Sequence, residues 1–442
     1  MRLEQAFRIS NTVCLALTGS GGKTTALFQL ARSLNETAGQ PVIVTATTHL
    51  HVDQIKLADS HWIGKTPEDF ANLDDNLQGV MLVTGPVANN RTAGLSDSTV
   101  YWLRAICNRH AIPLLIEADG SRQHPLKAPA EPEPPIPDFV DTVVVVAGLS
   151  GLGQPLTEEF VHRPEVFARL SGLPAGETIS PGALLRVLTH PAGGMKNIPA
   201  QARRLVLLNQ ADNARLQAQA KMLVSDLLAN YHSVIIASLG QSLIHAVYEP
   251  VAGIILAAGE ARRFGETKQL LDYHGKPFVR AVAETALAGK LSPVVAVSGA
   301  NAEAVEAAVS DLAVTILRNI DWQKGQSSSI RAGLQVLPAQ TGAAIFLLAD
   351  QPQVTSTVIH ALSEKHAQTL APVLAPLIAG QRANPVLFDR ATFPDLISLT
   401  GDVGGRAIFS KYQPVFLPWH DESLLMDIDT PKDLERLRNQ ET

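Results

Sequence analysis

The stretch TVCLALTGSGGKTT (Thr12–Thr25) decides the architecture of the first half of the chain. An apolar run ends in a glycine-rich turn. Lys23-Thr24-Thr25 then stands where a helix must begin, because Leu27, Leu30, Ala31 and Leu34 recur at helical spacing. Gly39 and Pro41 stop that helix. Strand, flexible turn and helix N-terminus in that order form a phosphate-binding element. Glycines let backbone N–H groups turn toward an anion, and the helix end adds partial positive charge. Gly19, Ser20, Gly21 and Gly22 are the candidate cradle, and Lys23 is the group that reaches the β- and γ-phosphates of ATP or GTP. Thr24 is the candidate Mg²⁺ ligand, with Thr25 beside it. Against the pattern GxxxxGK[ST], Leu17 occupies the first glycine position.

A second segment, VAGIILAAGEARRFG (Val251–Gly265), opens in the same way. Each segment starts its own alternation of strand and helix patterns, the mark of parallel α/β layers. Strands are predicted at Val42–Ala46, Leu114–Glu117, Thr142–Ala147 and Leu205–Leu208 in the first half, followed by an apolar run at Ser233–Leu239. In the second half they are predicted at Val251–Leu256, Pro293–Ser298, Val314–Leu317 and Ala344–Ala349, with a last helix opened by Thr430-Pro431. The boundary falls near Gln241–Pro250, giving two domains, residues 1–245 and 246–442. The prolines of HPLKAPAEPEPPIP (His124–Pro137) exclude helix interior and central strand, so this segment is expected as a semi-rigid loop, a surface loop or a lid.

The 442 residues are 46% hydrophobic and 18% charged, which excludes a mainly disordered chain. A net charge of −6 argues against a nucleic-acid partner. Two cysteines outside any CxxC pair argue against a disulfide framework and a cysteine zinc site. The N-terminal residues lack the apolar core of a signal peptide, and no apolar run approaches the ~18 residues of a membrane span, so a cytoplasmic protein with no membrane partner is expected.

In the first half, LLIEAD (Leu114–Asp119) ends a buried strand with acids, of which Glu117 or Asp119 is the candidate second group for Mg²⁺ or for orienting water. Asn209-Gln210-Ala211-Asp212 resembles a guanine-reading element with Gln in place of Lys, but a plain polar turn after a strand is the preferred reading. His49 and His51 are placed to face a γ-phosphate. The motifs TGSGGKTT, TATTH, EADGSR, PLKAP and VHRPE (Val161–Glu165) resemble the YqeC-type proteins, accessory proteins of selenium-dependent molybdenum hydroxylases, across about Met1 to Leu239. That resemblance implies a P-loop NTPase-like parallel-sheet domain that binds a nucleotide and serves cofactor maturation. The loop with its TTH also resembles Mur-type ligases, more weakly.

In the second half, Leu256-Ala257-Ala258-Gly259 lets a backbone approach a triphosphate and base, while Arg263 and Lys268 neutralise its charge. Ser298, closing the next strand, joins this nucleotide set. Asp350 in LLADQP ends a buried strand, and Asp427 and Asp429 precede the final helix; carboxylates flanking one triphosphate suit Mg²⁺. The chemistry suggested is nucleotidyl transfer, with Arg263, Lys268 and Asp350 as catalytic candidates. The order LAAG, RxG, K, ADQP, DIDTP resembles the MobA-like nucleotidyltransferases, and most closely the molybdenum cofactor cytidylyltransferases. Asn319, Trp322, Gly325, Ser328, Ser329, Arg331 and Gly333 fit a further family stretch. Arg382-Ala383-Asn384-Pro385 and Gly401–Arg406 fit two more, with Ala383 replacing a family glycine.

The resemblance implies a Rossmann-like, GT-A-like fold and a pterin side formed by Ser328, Arg382, Asn384, Asp402 and Gly404. The implied reaction takes CTP and Mo-molybdopterin to molybdopterin cytosine dinucleotide and pyrophosphate, with an apo molybdenum hydroxylase as a further partner. The alternatives are guanylyl transfer, a sugar-phosphate acceptor, or a nucleotide-gated cofactor carrier.

Overall fold

The apolar runs of the two halves condense into separate sheets. The computed structural model describes residues 1–260, 267–426, 428 and 433. The chain divides into two compact units, Met1–Tyr248 and Glu249–Thr442. The expected last helix at Thr430-Pro431 lies outside the described residues.

The first unit holds β1 (Cys14–Gly19), β2 (Val42–Ala46), β3 (Ser60–Ile63), β4 (Val80–Thr84), β5 (Leu114–Glu117), β6 (Thr142–Gly148), β7 (Arg203–Asn209), β8 (Ser233–Ser238) and β9 (Leu243–Tyr248). They form one sheet in the order β9-β8-β7-β6-β1-β5-β2-β4-β3. All neighbours are parallel except β8 and β9, which run antiparallel. β2, β4, β5, β6 and β8 are buried along their whole length, which is why they read as unbroken apolar runs. β9 carries this sheet to Tyr248. β1 lies inside the sheet, and the chain leaves it first toward β5 and β2, later toward β6 and β7. The crevice beyond the C-terminal end of β1 is therefore a switch point, where open α/β sheets bind ligands.

Helix α1 (Lys23–Ala38) follows β1 directly. It starts after Gly22 at φ +125° and ends at Gly39 at φ +63°, conformations that a side chain disfavours. Ala26, Leu27, Leu30, Ala31 and Leu34 form its buried stripe. Each of the leucines contributes roughly 1.5–3 kcal/mol by leaving water.

The second unit holds β10 (Val251–Ala257), β11 (Val294–Ser298), β12 (Thr315–Arg318), β13 (Ala343–Leu348), β14 (Val373–Ile378), β15 (Gln381–Arg382), β16 (Val386–Asp389) and β17 (Val415–Pro418). The order is β12-β11-β10-β13-β16-β14-β15, with β17 beside β14. β12, β11, β10 and β13 are mutually parallel, while β16 runs antiparallel to both β13 and β14. Val279, Val282 and Val358 pack on one face of this sheet, and Ile330, Leu334 and Phe388 on the other. The result is the α/β class expected of both halves.

Both cysteines are buried free thiols, pushed up to about 12 chiefly by desolvation. Among the described residues, no helix is long and apolar enough to cross a membrane.

Candidate functional site

At the C-terminal end of β1 the chain turns through three glycines with positive φ, Gly19, Gly21 and Gly22. The space around all three is as restrictive as the dihedrals, a Cβ on Gly19 meeting the Val146 carbonyl. A Cβ on Gly21 would collide with the backbone of Gly148, and one on Gly22 with the amide of Asn209. Ser20 anchors the turn, its N–H donating to the Val146 carbonyl at 2.8 Å and its hydroxyl to the Pro125 carbonyl at 2.9 Å. Asn209 donates to the Gly21 carbonyl at 2.7 Å and accepts from the Leu239 N–H at 3.0 Å. Asn209 is thus a brace under the loop, a role distinct from the base reader considered from sequence.

Lys23 lies under the loop, its side chain 2% exposed. Its Nζ donates to the Gly19 carbonyl at 2.7 Å and lies 3.2 Å from Asp119 Oδ1 and 3.9 Å from Glu117 Oε1. Thr24 donates its hydroxyl to Glu117 Oε2 at 2.8 Å and accepts from Gln54 Nε2 at 2.9 Å. Burial pushes the Glu117 carboxyl up, opposed by Lys23 and the Thr24 hydrogen bond. Asp119 accepts from the Gly19 N–H at 3.0 Å. Both acids expected at this strand end therefore reach the loop, one through Thr24 and one through Gly19. Thr24 and Glu117 thus present oxygen atoms of the kind that Mg²⁺ favours.

A charge network continues outward. Lys127 donates to Asp119 Oδ2 at 2.8 Å and to Glu133 Oε2 at 3.1 Å, and Arg163 grips Glu133 with two bonds of 2.7 and 2.9 Å. Burial would raise Glu133, but Arg163 and Lys127 prevail and hold it at about 2. His162 is pushed down to about 4 by burial first, then by Arg163, Lys127 and Arg122. Two short parallel strands, Leu126–Lys127 and Val161–His162, bring these residues together. The Pro-rich segment is thus pinned to the site, with Leu126, Lys127 and Ala128 buried. Lys127, Glu133 and Arg163 were not singled out from sequence, although PLKAP and VHRPE contain two of them.

The loop borders a cavity of about 860 Å³, lined also by Thr25, Thr47, Thr48, His49, His51 and Arg91. His49 is partly committed, its Nδ1 2.9 Å from the Thr92 carbonyl.

In the second unit, Leu256 and Ala257 end β10, and Ala258 and Gly259 follow. The Ala258 carbonyl accepts from the Ala300 N–H at 3.1 Å, and that of Gly259 from Gln269 Nε2 at 2.8 Å. Lys268 donates to Asp350 Oδ2 at 2.8 Å. This brings together two of the three catalytic candidates, while Arg263, Asp427 and Asp429 lie outside the described residues. Asp350 sits just beyond β13 with a side chain 37% exposed, so its carboxylate suits a metal that takes oxygen ligands and keeps its waters. Among the described residues no three His, Cys, Asp or Glu converge as a metal cage.

Ser298 is buried, donating to Glu306 Oε1 at 2.6 Å, and Arg318 holds the same carboxylate at 2.7 Å. The structure thus gives this side chain a bracing contact between β11 and the helix Ala302–Val309.

Leu256, Arg382, Asn384 and Gly404 line one cleft of about 310 Å³ together with Arg406 and Phe409. The Arg382 guanidinium stacks over Phe409 at 5.7 Å from the ring centre. Its pKa is lowered by burial and then by Arg406. Two like charges in one cleft favour an anion there. Ser328 and Asp402 do not line this cleft. Ser328 donates to the Gly325 carbonyl at 2.8 Å and accepts from Asn319 Nδ2 at 2.8 Å. Asp402 Oδ1 accepts from the Gln326 N–H at 3.2 Å, at the start of helix α2 (Gln326–Gln335). Arg406 and Phe409 were not among the sequence candidates.

Comparison with known proteins gives two independent matches. Residues 15–165 match the family model described as YqeC protein, and residues 253–415 the MobA-like NTP transferase domain. The uncharacterized protein YqeC of Escherichia coli (strain K12) is 34% identical over 46% of this chain and 80% of its own length. Nicotine blue oxidoreductase of Paenarthrobacter nicotinovorans is 33% identical over 42% of this chain and 96% of its own. A probable molybdenum cofactor guanylyltransferase of Bacillus cytotoxicus is 30% identical over 20% of this chain and 45% of its own. The chain therefore belongs to both families, with a YqeC domain in its N-terminal half and a MobA-like NTP transferase domain in its C-terminal half.

Proposed function

We propose that the C-terminal unit transfers CMP from CTP to Mo-molybdopterin, giving molybdopterin cytosine dinucleotide and pyrophosphate in the cytoplasm. The observation that carries this reading is the cleft in which Leu256, near the C-terminal end of β10, meets the arginines Arg382 and Arg406. A nucleotide on Leu256–Gly259 and an anionic acceptor on the arginines would lie side by side. The acceptor's phosphate oxygen would attack the α-phosphorus, and pyrophosphate would leave. Lys268, with Arg263, would neutralise the leaving charge. Asp350, with Asp427 or Asp429, would hold Mg²⁺, which when bound draws charge from the triphosphate. Asn384 and Gly404 would position the acceptor, with Ser328 and Asp402 fixing the start of α2. Positioning and charge neutralisation would supply most of the rate.

We place ATP or GTP on Gly19–Thr25 of the N-terminal unit, which would serve cofactor maturation or delivery to an apo molybdenum hydroxylase. Guanylyl transfer is the second reading, favoured by the name of the Bacillus cytotoxicus relative.

The test is pyrophosphate release by the whole chain with Mg²⁺ and Mo-molybdopterin, CTP and GTP in parallel. Release with CTP alone supports the first reading, and release with GTP alone supports the second. No release with either, despite tight cofactor binding, would leave a carrier.

A further inference from the structure

The cavity at the N-terminal phosphate loop extends well beyond the loop. At about 860 Å³ it lies in the upper part of the ~300–1,000 Å³ range of small-molecule sites. Its far wall is formed by Thr47–His51, after β2, and by a hairpin whose strands are Val87–Ala88 and Arg91–Thr92. This hairpin is fastened to the wall. The Thr92 N–H donates to the Leu50 carbonyl at 2.9 Å, and the Leu50 N–H to the Thr92 hydroxyl at 3.1 Å. β5 separates β1 from β2, so this wall stands two strand spacings, about 10 Å, from the strand that carries the phosphate loop.

The charges of the lining do not balance locally. Lys23 faces Glu117, and Arg163 is held by Glu133. Arg91, on the hairpin, and Arg122, after β5, line the same cavity, and no carboxylate pairs with either among the described residues. His162 lies beside Arg122 and is depressed by it. The Thr47 and Thr48 hydroxyls, on the far wall, are buried without a hydrogen-bond partner.

We propose that this half of the cavity binds a second ligand bearing a phosphate-type oxyanion, held by Arg91 and Arg122 beside the nucleotide. The proposal rests on the reading that the loop binds a nucleotide. It makes the N-terminal unit a two-ligand site with a donor nucleotide and an anionic acceptor. Two guanidiniums offer bidentate donors to such a group. At about 860 Å³ the cavity has volume for more than one small ligand.

Inorganic phosphate is the probe. It is titrated by calorimetry into the full chain preloaded with a non-hydrolysable ATP analogue and Mg²⁺. The same titration is run on Arg91→Gln/Arg122→Gln, whose side chains are exposed and unpaired, so folding should persist and a thermal melt checks it. Phosphate should bind the loaded wild type and bind the double variant about tenfold or more weakly, while analogue affinity stays within about twofold. The His162 ring, followed by NMR, should titrate at higher pH when phosphate is bound, because an anion offsets the cations around it. Phosphate that ignores the loaded protein would overturn the proposal. So would a double variant that loses the analogue instead, since the arginines would then belong to the nucleotide. Failure of the analogue to bind wild type would sink the nucleotide reading itself, separately from the arginines.

Discussion

Replacing Glu133 by Gln tests the charge network at the N-terminal site, because the amide keeps the shape and removes only the charge. Glu133 lies in the Pro-rich segment, accepts from Lys127 and twice from Arg163, and has a side chain 19% exposed. Its carboxyl falls from the ordinary 4.5 to about 2, equivalent to roughly 3 kcal/mol of preference for the charged form in the folded state. The sign follows from the direction. A depressed acid contributes its stability above the unfolded value near 4.5, and that contribution drains away as pH falls toward 2. Glu133→Gln should therefore cost about 2–3 kcal/mol at pH 7, since Lys127 keeps Asp119 while Arg163 loses its carboxylate partner. In a unit of this size that lowers the melting temperature by roughly 5–10 °C. Scanning calorimetry of both proteins from pH 7 down to pH 3 reads it. The gap should be full near neutrality and narrow progressively below pH 4.5, in the direction of closure near pH 2. A gap that is absent at pH 7, or equal at every pH, would refute the assignment of a charge-based role.

Three further outcomes follow from the two sites. Gly22→Ala, which forces a side chain into φ +125° and onto Asn209, should abolish nucleotide binding by the N-terminal unit, read by fluorescent-nucleotide titration. Asp350→Ala removes one partner of Lys268 and the proposed metal ligand, so pyrophosphate release should fall at least about a hundredfold; turnover with unchanged Mg²⁺ dependence would show the metal is held elsewhere. His366→Leu removes the buried 2.7 Å contact between this ring and Asp389, and should destabilise the second unit by about 1–3 kcal/mol in urea unfolding.

The central strands were legible because a parallel strand covered on both faces must be apolar throughout. β2 and β5 stand where their residues predict, and β6 and β10 each run one residue further. The margins were less legible. β3 and β9 are partly exposed and each places a His among apolar residues, so neither a continuous run nor a clean alternation marks them. β14 and β16 break the strand–helix rhythm by pairing antiparallel, and β16 pairs with β13 as well. At the sites, the glycine loop announced itself because backbone conformation limits which residues can serve there. Lys127, Glu133 and Arg163 carry no such mark. Their partnership depends on a two-rung ladder between segments over thirty residues apart, a long-range pairing that local pattern does not encode.

The position of Lys23 between Glu117 and Asp119 has a consequence for which molecules the loop can select. Two carboxylates already occupy the lysine, so the protein supplies its own internal competitor for the cation that an incoming phosphate needs. A ligand must outbid that pair. An inorganic anion or a nucleoside monophosphate brings little more charge than the acids it would displace, whereas a triphosphate offers several oxygens to the lysine and to the backbone N–H groups at once. If the loop holds a nucleotide as proposed, the buried pair would work as a threshold that discriminates by phosphate count.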